Sequence, residues 1–255
     1  MALYRATVGE VSEISSQNNQ KEFDLIVIGA GINGAGIARD AAMRGLKVLL
    51  LDKGDIGGGT SSWSTRLIHG GLRYLEHAEF RLVRESLRER ETLLKIAPHL
   101  VKPLPILVPV YQGARRGPFT VRAGMTFYDA LSFGKTLPSH RMLSADEAVK
   151  EVPGLQRQEL RGAALYHDAQ VEFAERLVLE NVLSAVEHGA RLETYARVEK
   201  LNVEDSGAIR VELAKQLRST QLRGSSPTVR EGAGSTLDRH SATASVVINA
   251  AGPWV

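Results

Sequence analysis

Cysteine is absent from the 255 residues of this sequence. Its absence excludes a disulfide framework, a zinc site built on thiolates, a redox-active cysteine pair and a cysteine nucleophile. Aromatic residues are also scarce, at 5% of the chain, whereas the 43% hydrophobic and 24% charged residues are ordinary for a globular protein. Any oxidation or reduction that the protein carries out must therefore depend on a bound cofactor.

Long apolar stretches are missing as well. Residues 1–20 are polar and lack the apolar core of a signal peptide. The longest apolar run, residues 25–38, contains Asn33 and several glycines, and it falls short of the roughly 20 residues that cross a bilayer. We therefore expect a cytoplasmic protein, and peripheral contact with the inner face of the cell membrane is left open.

A strong charge of either sign is missing too. The chain has 32 basic and 29 acidic residues, for a net charge of +3. This small surplus gives little support for binding to nucleic acid, so we expect no such partner. The histidines show no HExxH or similar ligand spacing, and we expect no metal site.

The start of the chain contains a β-α-β pattern. Residues 23–28 (FDLIVI) and 47–51 (KVLLL) are short apolar runs, typical of buried parallel strands. Residues 32–44 between them are compatible with a helix, and Gly45 is a suitable residue to end it. The pattern predicts two neighbouring parallel strands joined by a helix.

The turn after the first predicted strand has GxGxxG spacing. Gly29 permits the tight turn, Gly31 lets the backbone approach a pyrophosphate, and Gly34 lets the helix pack on the sheet. The helix N-terminus offers its N–H groups to the phosphates. Asp52, at the end of the second strand, is placed to accept hydrogen bonds from an adenosine ribose. Together they predict a dinucleotide site.

The glycine spacing alone leaves FAD and NAD open. The next segment, residues 57–66 (GGGTSSWSTR), offers many backbone and hydroxyl donors together with one cation. A long cofactor that lies across the domain needs such a strip, so FAD is favoured over NAD.

The rest of the chain continues as an α/β pattern. Prolines at 103, 105 and 109 make residues 100–111 an edge strand at best. The charge run over residues 81–91 is typical of a solvated helix face. Residues 216–244 are polar and aperiodic, and we predict a mobile insertion there. Helices are predicted at 79–97, at 120–133, from the capping box Ser144–Glu147 to Pro153, and at 174–188; strands are predicted at 191–203, 209–213 and 245–250.

Three stretches resemble the FAD-dependent, quinone-linked glycerol-3-phosphate dehydrogenases. They are DLIVIGAGINGAGIARDAAMRGLKVLLLDKGD near the start, the highly specific LIHGGLRYLE at 67–76, and NAAGPWV at the end. The likeness covers nearly all of residues 23–255 except 216–244. It implies an α/β fold in which a Rossmann-like FAD-binding domain of the D-amino-acid-oxidase-like group is combined with part of a substrate domain.

The resemblance also implies a domain layout. Residues 1–20 would be a disordered N-terminal extension, 21–99 the first part of the FAD-binding domain, 100–160 a partial substrate or cap region, and 161–255 the second part of the FAD-binding domain with the insertion at 216–244.

Carried over to this sequence, the family's motifs imply a set of site residues. Asp52 stands where the family more often has Glu, and Arg66 where it frequently has Lys. His69, Arg73 and Tyr74 would face the flavin ring and the substrate. The implied cofactor-binding residues are Gly29, Gly31, Gly34, Asp52, Thr60, Ser61, Ser64, Arg66, Leu67, Arg197, Val198, Ala251 and Gly252.

The implied reaction moves a hydride from C2 of glycerol 3-phosphate to FAD and yields dihydroxyacetone phosphate, with the electrons passed to a quinone. Arg73 would bind the phosphate, and His69 would act either as the base or as a flavin contact. Family members are considerably longer, so we expect this chain to be the N-terminal part of such an enzyme and inactive by itself. Two alternatives remain: a non-catalytic FAD-binding fragment, and a related flavin oxidase that acts on an amino acid.

Overall fold

The computed structural model describes residues 21–216 and 237–253, so the predicted extension at 1–20 lies outside the described residues. A short 3-10 helix spans Leu72–His77. The other elements are, in chain order, β1 (Phe23–Ile28), α1 (Ile32–Met43), β2 (Val48–Leu51), β3 (Leu67–Ile68), α2 (Phe80–Ile96), β4 (Val101–Tyr111), α3 (Pro118–Leu131), β5 (Arg141–Leu143), α4 (Ala145–Glu151), β6 (Leu160–Val171), α5 (Ala174–Glu187), β7 (Arg191–Glu193), β8 (Ala196–Val203), β9 (Ile209–Gln216) and β10 (Leu237–Asn249).

The first sheet has the strand order β7-β2-β1-β10-β9-β8. The first four strands in this order, β7, β2, β1 and β10, are parallel. Strands β9 and β8 continue the sheet in antiparallel pairing. Leu25 and Val27 of β1 pack with α1 and α5, whereas Ile26 packs with buried residues of β2 and β9. Both faces of β1 are therefore covered, which explains its unbroken apolar sequence and confirms the predicted β-α-β unit.

Helix α1 lies close to the sheet because its buried side chains are small. Ala35, Ala38, Ala41 and Ala42 are all buried. The helix ends at Met43, and Gly45 follows with a φ of +83°, a conformation that glycine adopts readily.

The second sheet has the order β3-β6-β4, and β5 also pairs with β6. Strand β4 lies at the edge, where the prolines predicted it, because a proline has no N–H group to donate to a second neighbour. Strand β6 was not predicted, because its residues LRGAALYHDAQV mix small and polar side chains. The strands of the second sheet come from residues 67–171, and those of the first sheet come from residues on either side of this stretch. The domain boundaries themselves stay a prediction.

The strand predicted over residues 191–203 needs correction. It is interrupted at Tyr195, which has a φ of +56°. Its two parts, β7 and β8, lie at opposite ends of the first sheet. A break in backbone conformation thus separates two strands that the sequence pattern joined.

The predicted mobile insertion at 216–244 is wrong at its ends. Gln216 closes β9, and residues 237–244 form the first part of β10, paired with β9 from Leu237–Gln216 to Ala244–Ile209. The polar side chains hid this strand, although Ala242 and Ala244 alternate into the core. The middle of the predicted insertion, residues 217–236, lies outside the described residues.

The helices follow the sequence closely. The capping box at α4 is present, since Ser144 Oγ accepts from the Glu147 amide and the Glu147 carboxylate accepts from the Ser144 amide. Among the described residues, no helix has the length and apolar character to cross a membrane.

Candidate functional site

A cavity of about 760 Å³ opens where the parallel strands β1, β2 and β10 end and α1 begins. Ligands of α/β proteins bind at this carboxyl edge of the sheet. Leu93, Val171, Leu177 and Val178 form an apolar part of its wall, and Asn33 lies at its α1 end. The predicted cofactor residues that line it are Gly29, Gly31, Asp52, Thr60, Ser61, Ser64, Arg66, Leu67, Arg197, Val198, Ala251 and Gly252.

The GxGxxG turn is a site of close backbone approach. Gly29 has a φ of +106°, and a Cβ atom there would lie 2.5 Å from the carbonyl oxygen of Ala250. A Cβ atom at Gly34 would overlap the carbonyl oxygen of Gly29. Gly34 does not line the cavity; it lets α1 pack against the turn, as predicted for the third glycine.

The N-terminus of α1 faces the cavity without an acidic residue in its first turn. Ser61 reaches it from the segment after β2, and its Oγ accepts a hydrogen bond of 3.0 Å from the Ile32 amide. The positive end of the helix dipole is thus available to a phosphate.

Asp52 has a structural role that the sequence did not reveal. Its Oδ2 accepts a hydrogen bond of 2.7 Å from the Ala30 amide, and its Oδ1 accepts one of 2.8 Å from the Gly54 amide. The carboxylate therefore joins the end of β2 to the glycine turn and also lines the cavity. Its contact with a ribose stays a prediction.

The charges of the cavity lining are mainly positive. Lys53, Arg66 and Arg197 line it together with Asp52. Arg66 donates from Nη1 to the Glu172 carbonyl oxygen over 2.7 Å, and its Nη2 lies 3.5 Å from the Glu175 carboxylate. This balance suits a ligand that carries a pyrophosphate.

The three predicted catalytic residues lie outside this cavity lining. His69 follows β3, and Arg73 and Tyr74 belong to the 3-10 helix; all three are exposed. Leu67 and Ile68, which directly precede His69, do line the cavity. The turn thus leaves the cavity wall at His69, and the catalytic roles of these residues stay a prediction.

A buried polar cluster, which was not predicted from the sequence, lies against the turn that follows β3. Arg90, Tyr128 and Asp168 are at most 2% exposed and are joined by hydrogen bonds. The prediction that the charge run 81–91 is a solvated face is wrong at Arg90. Its spacing of seven from Val83 and three from Leu87, both buried, was the available signal.

The comparisons with known proteins agree with this geometry. The family model described as "FAD dependent oxidoreductase" (DAO) matches residues 24–255. A glycerol-3-phosphate dehydrogenase from Synechocystis sp. is 52% identical over 91% of this chain and 39% of its own length. A D-erythritol 1-phosphate dehydrogenase from Brucella abortus is 43% identical over 91% of this chain and 42% of its own length.

Among solved structures, the glycerol-3-phosphate dehydrogenase from Bacillus halodurans complexed with FAD is similar. Its TM-score is 0.62 and its identity 28%, over 92% of this chain and 35% of that chain. This chain thus spans about 40% of the length of the curated relatives named above.

The residues present fit FAD. Gly31 lines the cavity and leaves open the space that a side chain would take, and the helix N-terminus and mainly cationic lining suit a pyrophosphate. The predictions of a D-amino-acid-oxidase-like α/β fold and of FAD as the cofactor are confirmed by the family and the structural match. The chain belongs to the DAO family of FAD-dependent oxidoreductases.

Proposed function

We propose that the protein oxidises sn-glycerol 3-phosphate to dihydroxyacetone phosphate and passes the electrons to a quinone. The observation that carries this proposal is the 52% identity, across 91% of this chain, to a protein named glycerol-3-phosphate dehydrogenase. Bound FAD would accept the hydride from C2 of the substrate.

In this proposal the cavity residues hold and orient the cofactor. Gly29 permits the tight turn, Gly31 lets the backbone approach the pyrophosphate, and the N-terminus of α1 stabilises its charge. Asp52 accepts from the ribose hydroxyls with the lone pairs that the Ala30 and Gly54 amides leave open. The segment from Thr60 to Leu67 continues the contact toward the flavin.

The turn after β3 would supply the substrate contacts. Arg73 binds the phosphate through its guanidinium fork, and Tyr74 donates a hydrogen bond from its hydroxyl. His69 either accepts the C2 hydroxyl proton or contacts the flavin without proton transfer. The ring of Tyr74 packs against Gly71, and this contact ties the 3-10 helix to the glycine pair.

A substrate panel tests this function in the natural full-length protein. We expect reduction of a dye to depend on glycerol 3-phosphate, and removal of Arg73 by Arg73→Ala to raise KM and lower kcat. D-Erythritol 1-phosphate is the second candidate substrate, favoured by the relative of that name at 43% identity. Turnover with glycine or proline but with neither phosphate would favour the amino-acid oxidase. Bound flavin that no substrate bleaches would favour the non-catalytic alternative.

The quinone and the membrane contact form the finer part of the proposal. Helix α3 supports the membrane contact, because Phe119 is 87% exposed and the exposed cation Arg122 follows it by three residues on the same helix. Aromatic and basic residues on one short helix are typical of contact with an anionic lipid surface. The protein would then lie in the cytoplasm, at the inner face of the membrane.

Vesicle sedimentation tests the lipid contact. We expect the protein to sediment with vesicles that contain anionic lipid, and Phe119→Ser to weaken this. Phe133→Ser, at a 99% exposed residue beyond the helix, is the matched control. Equal sedimentation of both variants would contradict lipid contact through α3. Failure of the reduced protein to pass electrons to a quinone analogue would contradict the proposed electron acceptor.

A further inference from the structure

A chain of hydrogen bonds runs from the core to the backbone of Gly70. Arg90 Nη1 donates to Asp168 Oδ1 over 2.6 Å, and the Tyr128 hydroxyl donates to the same carboxylate over 3.0 Å. The Gly70 amide donates to the Tyr128 oxygen over 2.9 Å. The donors and acceptors follow in one direction: the amide donates to the hydroxyl oxygen, and the hydroxyl donates to a carboxylate that the guanidinium neutralises. Hydrogen bonds arranged in such a chain strengthen one another.

The packing around Gly70 leaves no room for a side chain at this position. A Cβ atom there would lie 2.5 Å from both the Tyr128 oxygen and Leu87 Cδ2. The absence of a side chain lets Tyr128 approach the backbone amide directly. Gly71 follows with a φ of +69°, so the chain turns sharply at this point.

The same turn is held from its other side by sheet pairing. Leu67 and Ile68 of β3 pair with Gln170 and Ala169 of β6, directly beside Asp168. One strand therefore supplies both the partners of β3 and the carboxylate that orients Tyr128. His69 lies between these two attachments.

Stability alone does not account for this polar cluster. Desolvation of a buried ion pair offsets most of its attraction, and apolar residues of similar volume commonly stabilise a core equally well. An apolar side chain cannot accept a hydrogen bond from the Gly70 amide. Burial and the Asp168 carboxylate raise the pKa of Tyr128, so its hydroxyl keeps the proton that it donates.

We propose that Tyr128, oriented by Asp168 and Arg90, is a positioning residue that fixes the turn on which His69 and Arg73 meet the substrate. The inference rests on the proposed function, which gives those two residues their roles. Tyr128, which would position His69 and Arg73, belongs to α3, a helix that does not line the cofactor cavity.

The test compares Tyr128→Phe with Tyr166→Phe in the natural full-length protein loaded with FAD. Tyr166 is the matched control because its ring packs edge-on against Tyr128, at a centroid distance of 5.9 Å, while the Gly70 amide bonds to Tyr128. Three quantities are measured: hydrogen exchange of the segment 66–78, FAD content, and kcat and KM for glycerol 3-phosphate.

We expect Tyr128→Phe alone to speed exchange in segment 66–78 and to lower kcat/KM about tenfold or more at unchanged FAD content, since small misplacement of reacting groups is costly. Equal exchange and equal kcat/KM per bound FAD in both variants would overturn the proposal. Equal losses in both variants, in proportion to lost FAD, would show a structural role and overturn it as well.

Failure of the proposed function is a separate outcome. If the wild-type protein does not oxidise glycerol 3-phosphate, exchange in segment 66–78 still decides whether Tyr128 fixes the turn. If Tyr128→Phe retains no FAD, the test is the rate of hydrogen exchange at the Gly70 amide of the wild-type protein. Slow exchange supports the proposal, and exchange as fast as in an exposed loop overturns it.

Discussion

The glycine turns at Gly29 and at Gly70 are held in different ways. At Gly29 the main chain is held by other main chain: its amide donates to the Leu51 carbonyl oxygen over 2.7 Å, and the Ala250 carbonyl fills the space beside it. At Gly70 the main chain is held by side chains, with Tyr128 and Leu87 against it. The first turn is held mainly by backbone contacts, with the Asp52 carboxylate bound to the next amide, that of Ala30. The second depends on side chains from α2, α3 and β6.

This difference fits the ligands that the two turns would meet. A pyrophosphate is recognised by backbone N–H groups and a helix dipole, which need only glycine and a strand-turn-helix order. A substrate is recognised by individual side chains, whose place requires a rigid support of further side chains. The Gly29 turn therefore depends on the absence of side chains at its own glycines, whereas the Gly70 turn depends on side chains from other elements, and the following substitutions test this contrast.

Gly34→Ala should have the largest effect. Its Cβ atom would overlap the Gly29 carbonyl oxygen, and the backbone there cannot move without opening the turn. We expect a loss of more than about 4 kcal/mol in the free energy of unfolding, with no FAD bound. Gly36→Ala, in the same helix with open space around it, is the control and should stabilise by up to about 1 kcal/mol. Chemical denaturation and flavin absorbance measure both, and FAD-loaded Gly34→Ala protein would contradict the role of this contact.

Asp168→Ala should come next. It leaves Arg90 charged and buried without its carboxylate, and such loss of one partner costs about 3–5 kcal/mol. Asp146→Ala breaks an exposed pair with Arg157 and should cost less than about 1 kcal/mol. Urea unfolding at constant FAD compares the two. Equal losses would mean that the buried cluster is no more important than a surface ion pair.

The glycine turn could be predicted from sequence, because its signal is local. The spacing of Gly29, Gly31 and Gly34 between two apolar runs fixes both the conformation and the place of the cavity. Almost every predicted cofactor residue lines that cavity, since the residues follow one another along strand ends that meet at one edge.

The support of the Gly70 turn could not be predicted in the same way. Arg90, Tyr128 and Asp168 are far apart in the sequence, and each is unremarkable in its own segment. Only the pairing of β6 with β3 and β4 brings them together, and β6 lacks the alternating pattern that would have revealed it. Polar content similarly concealed the first half of β10.

Asp52→Ala should weaken FAD binding by roughly 1–3 kcal/mol, or about fivefold to 150-fold in Kd. The substitution removes both the acceptor proposed for the ribose and the bonds from the Ala30 and Gly54 amides. Asp55→Ala is the control, because within residues 21–216 and 237–253 that carboxylate accepts from the adjacent Ile56 amide alone, and it does not line the cavity. Titration of apoprotein with FAD gives both constants, and unchanged affinity in Asp52→Ala would remove Asp52 from the site.

The smallest effect should be a pH dependence beside the buried cluster. Glu91 Oε1 lies 3.3 Å from Arg90, and its Oε2 accepts from the amide and the hydroxyl of Thr136, each over 2.9 Å. Burial alone would raise the pKa of Glu91, but the bonds from Thr136 and the charge of Arg90 lower it on balance.

Because the pKa of Glu91 in the folded protein lies below its ordinary 4.5, its contribution to stability is complete above that pH. The contribution disappears as the pH falls through the lowered value, because protonation removes the charged acceptor. Unfolding measured between pH 6 and pH 3 should therefore show about 1 kcal/mol less acid destabilisation in Glu91→Gln than in the wild type. Glu89→Gln, at an exposed position of the same helix, should follow the wild-type curve. If Glu91→Gln and the wild type lose stability equally on acidification, the charged Glu91 carboxylate does not stabilise the fold through Arg90 and Thr136.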